Sequence, residues 1–223
     1  MPVVLTHTQG QFQIPTWVND LASFRKWVHS GVLPEKLSVH FINGEVWVDF
    51  TMEEMFSHNR VKQALNLALG QLIRSAKLGV YCPDGMLITS EITGLGTEPD
   101  AVFLSADTLE SGAVQFVAGR SGDGEATEIL GAPDLVIEIV SPSSVDKDTE
   151  WLMSAYFDAG IPEYWVIDAR DDDPEFDIWI RRGERYVATR KVKGWVKSPV
   201  LARSFRLIRS DAFGLIDYTL EIR

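Results

Sequence analysis

Apolar side chains recur at helical spacing in three segments of the chain. Residues 19–30 predict a first helix, and residues 147–159 predict the last. Between them, the sequence Thr51-Met52-Glu53-Glu54 fits a capping box at the start of a longer helix, which Gly79 would end. The apolar face of this longer helix comprises Val61, Leu65, Ala68, Leu72 and Ala76.

Strand-like segments occupy much of the remaining sequence. They are residues 39–42, 45–50, 85–90, 100–104, 134–140, 163–168, 176–180 and 185–190. Asn43-Gly44 and Gly183 predict hairpin turns, and residues 111–125 predict a loop or an irregular hairpin. The helix over 147–159 lies between two strands, which predicts a right-handed crossover joining parallel neighbours. The pattern therefore predicts an α/β protein with a mixed central sheet.

Composition adds bounds to this picture. With 223 residues, 45% hydrophobic and 24% charged, we expect one globular domain over residues 1–223. The single cysteine, Cys82, excludes an internal disulfide and a multi-cysteine zinc site. No apolar stretch reaches the length of a membrane span and no leader is evident, so we expect a soluble, cytoplasmic protein.

The net charge of −11 argues against a general nucleic-acid coating protein, which is normally basic. It does not exclude a nuclease, because a cluster of metal-binding carboxylates would contribute to the excess and a divalent cation would offset it.

Glu138 lies in the middle of the apolar run Leu135-Val136-Ile137-Glu138-Ile139-Val140. A carboxylate inside a buried strand is costly unless it is paired, hydrogen-bonded or bound to a metal. Asp100, at the start of another strand, could converge with Glu138 on one divalent cation such as Mg²⁺. The alternatives are a structural salt bridge for Glu138 and a turn or strand-edge role for Asp100. For Asp134 a turn role is the better hypothesis.

His58 follows Glu54 by one helical turn, so both side chains share a face and could approach such a site. A solvated surface pair is the alternative interpretation of this spacing.

Several motifs together resemble those of the Uma-type restriction endonucleases, a family of the PD-(D/E)-x-K nuclease superfamily formerly described as a domain of unknown function. The motifs are Glu98-Pro99-Asp100, the segment from Pro133 to Ser144, Tyr156, and the segment from Ala159 to Asp168. The resemblance extends from about residue 35 to about residue 190 and includes the Gly44-Glu45 hairpin and His58 in order and spacing.

The resemblance implies a restriction-endonuclease-like core, a mixed central β-sheet flanked by α-helices with an additional β-hairpin, and metal-dependent cleavage of DNA phosphodiester bonds. Asp100 and Glu138 would be the acidic ligands of Mg²⁺ or Mn²⁺, and His58 would line the site.

The superfamily lysine normally follows the glutamate by two residues, where this chain has Val140. Relatives that place it on the following helix do so at the position of Leu152. Lys147 is the nearby candidate, and a solvated lysine among aspartates is its alternative interpretation.

Three hypotheses follow. The first is an active, metal-dependent endodeoxyribonuclease with DNA as substrate and a homodimeric assembly. The second is a catalytically weak or inactive binding module that keeps the nuclease fold. The third is a hydrolase that acts on a smaller phosphoester, which the sequence does not separate from the first.

Overall fold

The computed structural model describes residues 3–7, 10–33, 37–49, 54–84, 86–119 and 125–223, with side chains from residue 13 onward. The helices of these ranges are α1 Leu21–Val28, α2 Arg60–Ala76, α3 Ala106–Ser111 and α4 Leu152–Asp158. A π-helical turn, Met55–Asn59, leads into α2, and a second, Lys147–Trp151, leads into α4.

The strands of the described ranges form several sheets. They are β1 Val3–His7, β2 Gly10–Ile14, β3 Ser38–Ile42, β4 Glu45–Asp49, β5 Gly79–Cys82, β6 Leu87–Ser90, β7 Leu95–Thr97, β8 Ala101–Ser105, β9 Gln115–Ala118, β10 Ala126–Leu130, β11 Leu135–Ile139, β12 Glu163–Asp168, β13 Glu175–Arg182, β14 Arg185–Ala188, β15 Val196–Ser198, β16 Arg203–Ala212 and β17 Leu215–Ile222.

Two six-stranded sheets replace the one central sheet that the sequence predicts. The first has the order β4-β3-β7-β6-β10-β9 and the second the order β14-β13-β12-β11-β8-β5. Each is mixed, because β6–β10 and β11–β12 are parallel pairs among antiparallel neighbours. A β1–β2 hairpin and a three-stranded sheet, β15-β16-β17, complete the topology. The predicted α/β class and restriction-endonuclease-like core are confirmed.

The predicted hairpins and the crossover are present. Asn43 and Gly44 both adopt left-handed backbone angles, φ 53° and 82°, as a tight two-residue hairpin turn requires. The strands β13 and β14 form the second hairpin, and α4 connects the parallel strands β11 and β12. Residues 120–124 of the predicted irregular segment 111–125 lie outside the described residues. The described part holds the end of α3 and the strand β9, which pairs with β10 in an irregular antiparallel register.

The start and end of the long helix differ from the prediction. Thr51 to Glu53 lie outside the described residues, while Glu54 has extended backbone and is the N-cap of the π-helical turn. Lys77 ends α2 in the left-handed conformation, φ 53°. Gly79 instead lies in β5, where a Cβ atom would overlap the carbonyl oxygen of Leu104. Close pairing with β8, rather than helix termination, therefore explains this glycine.

The second six-stranded sheet buries apolar side chains on both faces. On one face, Ile137 and Trp165 pack in a cluster with Leu65 of α2 and with Phe205 of the three-stranded sheet. On the other face, β11 contributes Val136, which packs with side chains of α4. This alternation along β11 places Glu138 on the α4 side. The strand thus positions its carboxyl group opposite α4, which carries Tyr156, and the π-helical turn before it, which carries Lys147.

Phe205→Ala tests whether the three-stranded sheet is part of the main core. Phe205 is fully buried, with its ring centroid 4.8 Å from that of Trp165. We expect a loss of about 3–5 kcal/mol in the free energy of unfolding, because the substitution removes buried apolar surface and leaves a cavity.

Urea denaturation measures this loss. Phe213→Ala is the matched control, since Phe213 is fully exposed, and we expect a change within about 0.5 kcal/mol. Equal, small effects of both substitutions would contradict a shared core.

Candidate active site

Pairing of β8 with β11 brings Asp100 and Glu138 together. The antiparallel register pairs Val136 with Val102 and Ile137 with Ala101, so the next step along the ladder places Glu138 opposite Asp100. The N–H of Ile139 donates a hydrogen bond of 2.7 Å to Asp100 Oδ2. The convergence of two carboxylates on neighbouring strands is therefore a property of the sheet register.

Asp100 is held by two basic side chains of the adjoining helical segment. His58 Nε2 lies 3.2 Å and Lys62 Nζ lies 3.0 Å from Asp100 Oδ1. Burial alone would raise the pKa of Asp100, but the hydrogen bond and charge of His58, the charge of Lys62 and the Ile139 N–H lower it to about 2. Asp100 is thus ionised throughout the physiological pH range.

Glu138 has a different environment, although it lies next to Asp100. Its side chain is 3% exposed, and Oε1 accepts a hydrogen bond of 2.6 Å from the Tyr156 hydroxyl. Burial raises the pKa of Glu138 well above its usual range; Lys147 opposes the rise, whereas the charges of Asp148 and Asp100 add to it. The two carboxyl groups therefore have pKa values shifted in opposite directions.

Lys147 points into this acidic cluster. Its Nζ lies 3.1 Å from Asp148 Oδ1 and 4.0 Å from Glu138 Oε2, and the side chain is 14% exposed. The alternative of a solvated lysine is therefore wrong. Burial opposes its charge, but Glu138 and Asp148 outweigh that effect and raise the pKa of Lys147. Its ammonium group remains charged beside the carboxylates.

The positions at which the superfamily lysine was sought belong to the core. Val140 and Leu152 are both fully buried, and Leu152 packs with Val136. Leu152 N–H donates to the carbonyl of Lys147 across the π-helical turn. Lys147 is therefore one π turn before the expected helix position and faces the same site.

Both π-helical turns carry residues of the cluster. His58 belongs to the turn before α2, while Lys147 and Asp148 belong to the turn before α4. Such turns widen the helix locally and are frequent at functional sites. Glu54, which shares the predicted face with His58, is exposed and accepts a hydrogen bond from Ser57 instead.

Other residues of the cluster were not singled out from the sequence. Lys62 follows His58 by four residues, a helical spacing that could have indicated it. His40 is buried on β3, and its Nδ1 lies 2.9 Å from Thr97 Oγ1. Burial lowers the pKa of His40 well below its usual range, and the charge of Lys147 lowers it further. His40 lies on β3 of the first six-stranded sheet, whereas Asp100 and Glu138 are positioned by β8 and β11 of the second. No local pattern in the sequence therefore connects His40 with these two residues.

Asp134 has the turn role that its position after Pro133 favoured. Its Oδ2 accepts a hydrogen bond of 2.7 Å from the N–H of Ser105 at the end of β8. Asp134 therefore fixes the far end of the β8–β11 pair.

The oxygen ligands of the site fit a hard divalent cation. Mg²⁺ is commonly held by one or two protein carboxylates together with waters and substrate oxygens, and Asp100 and Glu138 supply such a pair. Among the described residues no set of three or more His, Cys, Asp or Glu side chains is grouped to hold a metal. The donors thus suit Mg²⁺ or Mn²⁺ better than structural zinc, which needs four nitrogen or sulfur ligands.

The two mixed sheets, the flanking helices and the paired acidic residues define a restriction-endonuclease-like core. A model of the Uma2 family, described as "Putative restriction endonuclease", matches residues 21–218, and the chain belongs to this family. The family places the chain among nuclease-like proteins of a class that generally uses divalent metal ions. None of the helices in the described ranges is long and apolar enough to cross a membrane.

One solved structure with a similar fold is the crystal structure of "a putative nuclease belonging to DUF820" from Anabaena variabilis. It is 17% identical, with a TM-score of 0.59, and the match covers 82% of this chain and 90% of that one. No curated protein matches the sequence.

Asp148→Asn tests the electrostatics of the site through stability. Burial, opposed by Lys147 and Ser144, raises the pKa of Asp148 from 3.8 to about 6. The folded state thus binds a proton more tightly than the unfolded state. The contribution of Asp148 to the free energy of unfolding should fall as pH rises from about 4 to about 6, by at most about 3 kcal/mol, and stay constant above that.

Urea unfolding of the native chain and of Asp148→Asn across this pH range measures the difference between them. Asp146→Asn, at an exposed aspartate two positions earlier, serves as the control and should leave the pH profile unchanged. Parallel pH profiles for the native chain and Asp148→Asn would contradict the raised pKa.

Proposed function

We propose that this chain is a metal-dependent endonuclease that hydrolyses DNA phosphodiester bonds with Mg²⁺ or Mn²⁺. The observation that carries the proposal is the β8–β11 register, which brings Asp100, just before β8, next to Glu138 of β11, with a lysine beside each carboxyl group. The two carboxylates would hold the cation. When bound, it supplies neutralisation of charge on the phosphodiester and a lower pKa for the attacking water.

The basic residues provide fixed positive charge next to the place where negative charge would develop. Lys62 lies against Asp100, and Lys147 lies near Glu138. In a site with little solvent, such preorganised charges stabilise a phosphorane-like transition state far more than they would in water. Lys147 can also orient a water molecule, a role for which Val140, in the usual lysine position, has no polar atom.

Two residues position the carboxylates. Tyr156 donates to Glu138 Oε1 and fixes the orientation of the carboxyl group. His58 donates to Asp100 Oδ1 and contributes to its low pKa. Both contacts hold an oxygen while the carboxyl group keeps further lone pairs for a cation.

A second candidate function is a weakly active or inactive binding module with the same fold. The burial of Val140 and Leu152 favours it, because both usual lysine positions belong to the apolar core. Under this hypothesis the cluster of carboxylates and lysines is a structural ion-pair network.

Cleavage of supercoiled DNA in the presence of Mg²⁺ or Mn²⁺ tests the first candidate. We expect Asp100→Ala and Glu138→Gln each to lower the cleavage rate by about 10²-fold or more, because each removes a metal ligand. Glu163→Gln is the matched control, since Glu163 is equally buried on the adjacent strand but pairs with Leu135, at the other end of β11. Its rate should stay close to that of the native chain.

Calorimetric titration with Mn²⁺ separates the two candidates. Binding that Glu138→Gln abolishes and Glu163→Gln preserves supports the metal site. Cleavage that persists in both site variants would contradict the assignment, and absence of metal binding to the native chain would favour the inactive module.

We further propose that the enzyme is a homodimer, because cutting both strands of a duplex commonly uses two sites and the resemblance to the nuclease family points the same way. Sedimentation equilibrium at micromolar concentration should give twice the mass of the chain, 25.0 kDa. Monomer alone at that concentration would contradict the proposal.

A further inference from the structure

Positive charge is concentrated in one segment of this acidic chain. Residues 181–209 contain ten of the 21 Lys and Arg residues and a single acidic residue, Glu184. The rest of the chain therefore has 11 basic and 31 acidic residues. The net charge of −11 is therefore the sum of +9 in this segment and −20 in the rest of the chain. Three of these ten basic side chains are ion-paired with acidic residues outside the segment: Lys191 with Asp177, Arg206 with Glu221 and Arg209 with Asp172. The placement of the other basic side chains therefore decides where the surface is positive.

The structure arranges part of this segment on one face of the three-stranded sheet. Phe205 and Leu207 of β16 point into the core, so Ser204 and Arg206 point outward. The register pairs Lys197 with Ser204 and Arg206 with Glu221. Backbone hydrogen bonds also join Ser204 to Arg223 in both directions. We call this surface the outer face; it comprises Trp195, Lys197, Ser204, Arg206, Glu221 and Arg223.

Trp195 is the aromatic centre of the outer face. The guanidinium carbons of Arg206 and Arg223 lie 4.8 Å and 4.2 Å from its ring centroid. These cation–π contacts hold the two long arginine side chains in place, which reduces the entropy that they would lose on binding a ligand. Glu221 is the acidic residue of this face, and its carboxylate is already paired with Arg206 at 2.6 Å.

A tight turn adds a further charge at the rim. Lys193 and Gly194 both have left-handed backbone angles, φ 51° and 78°, between the paired residues Val192 and Trp195. Gly194 lies against the side chain of Arg206. Lys193 and Lys197 are both exposed, so the turn and the strand present two ammonium groups on either side of Trp195.

We propose that the outer face together with Lys193 binds the phosphate backbone of double-stranded DNA. The inference rests on the proposed nuclease function and names the surface through which that substrate is held. Because Glu221 offsets the charge of Arg206, the net positive charge of this surface lies on Arg223, Lys193 and Lys197. Guanidinium and ammonium groups are the usual partners of phosphate oxygens. Because the rest of the chain is strongly acidic, electrostatic repulsion elsewhere favours approach of the duplex from this side. An acidic nuclease can therefore bind DNA without a basic overall charge.

Fluorescence anisotropy with a labelled duplex in EDTA tests the inference without cleavage or metal binding. We expect Lys193→Gln/Lys197→Gln to weaken binding about tenfold or more at about 0.1 M salt and to reduce the slope of log K against log salt by about 1–2. Lys26→Gln/Arg74→Gln is the matched control, because it removes the same charge from exposed positions on α1 and α2. It should retain the affinity and the slope of the native chain.

Equal effects of the two double variants, or no effect of either, would overturn the inference. If Lys193→Gln/Lys197→Gln loses binding while the native chain cleaves no DNA with any metal, the binding surface is supported and the nuclease proposal fails. Conversely, metal-dependent cleavage with unaltered binding in this variant would leave the nuclease proposal standing and reject the surface.

Discussion

Two carboxyl groups with little access to solvent lie side by side in this protein, and their stabilisation constrains the structure around them. Burial of a carboxylate is tolerated only with hydrogen bonds or opposite charges close by. The backbone N–H of Ile139 supplies one such bond to Asp100, and the helical segments on either side of the sheet supply the rest. The β8–β11 register, the placement of α2 and the placement of α4 are therefore all linked to the same pair of residues.

The partners come from opposite faces of the second six-stranded sheet. Lys62 reaches Asp100 from α2, whereas Lys147 and Tyr156 reach Glu138 from the segment that includes α4. The side chains that contact the two carboxyl groups thus come from different helical segments. The pKa shifts nevertheless go in opposite directions, because His58, Lys62 and the Ile139 N–H outweigh the effect of burial on the pKa of Asp100, whereas Lys147 and Tyr156 do not outweigh burial and the neighbouring negative charges at Glu138.

The sequence predicted those parts of the fold that depend on local pattern. The Asn43-Gly44 turn, the strand around Glu138 and the crossover to β12 follow from spacing and turn residues alone. The split into two sheets did not follow, because it depends on β7 and other strands of three to five residues, too short for a periodic signal. The three-stranded sheet was missed for a different reason: its role in the core rests on long-range contacts such as that of Phe205 with Trp165. In the site, Asp100, Glu138, His58 and Lys147 were named in advance, whereas His40 is brought near by tertiary packing alone.

The π-helical turns have a consequence for how such a site can vary. A π turn holds one residue more than the α turn that it replaces, so it is equivalent to a single-residue insertion in a helix. Deleting one residue between Lys147 and Leu152 would restore α geometry, because the widened turn already absorbs the extra residue and the segments on both sides keep their faces. Lys147 would remain one turn before Leu152, on the side of Glu138, as an ordinary i, i+4 neighbour. The length of the chain at this point can therefore change by one residue while the ammonium group keeps its place beside the carboxyl group.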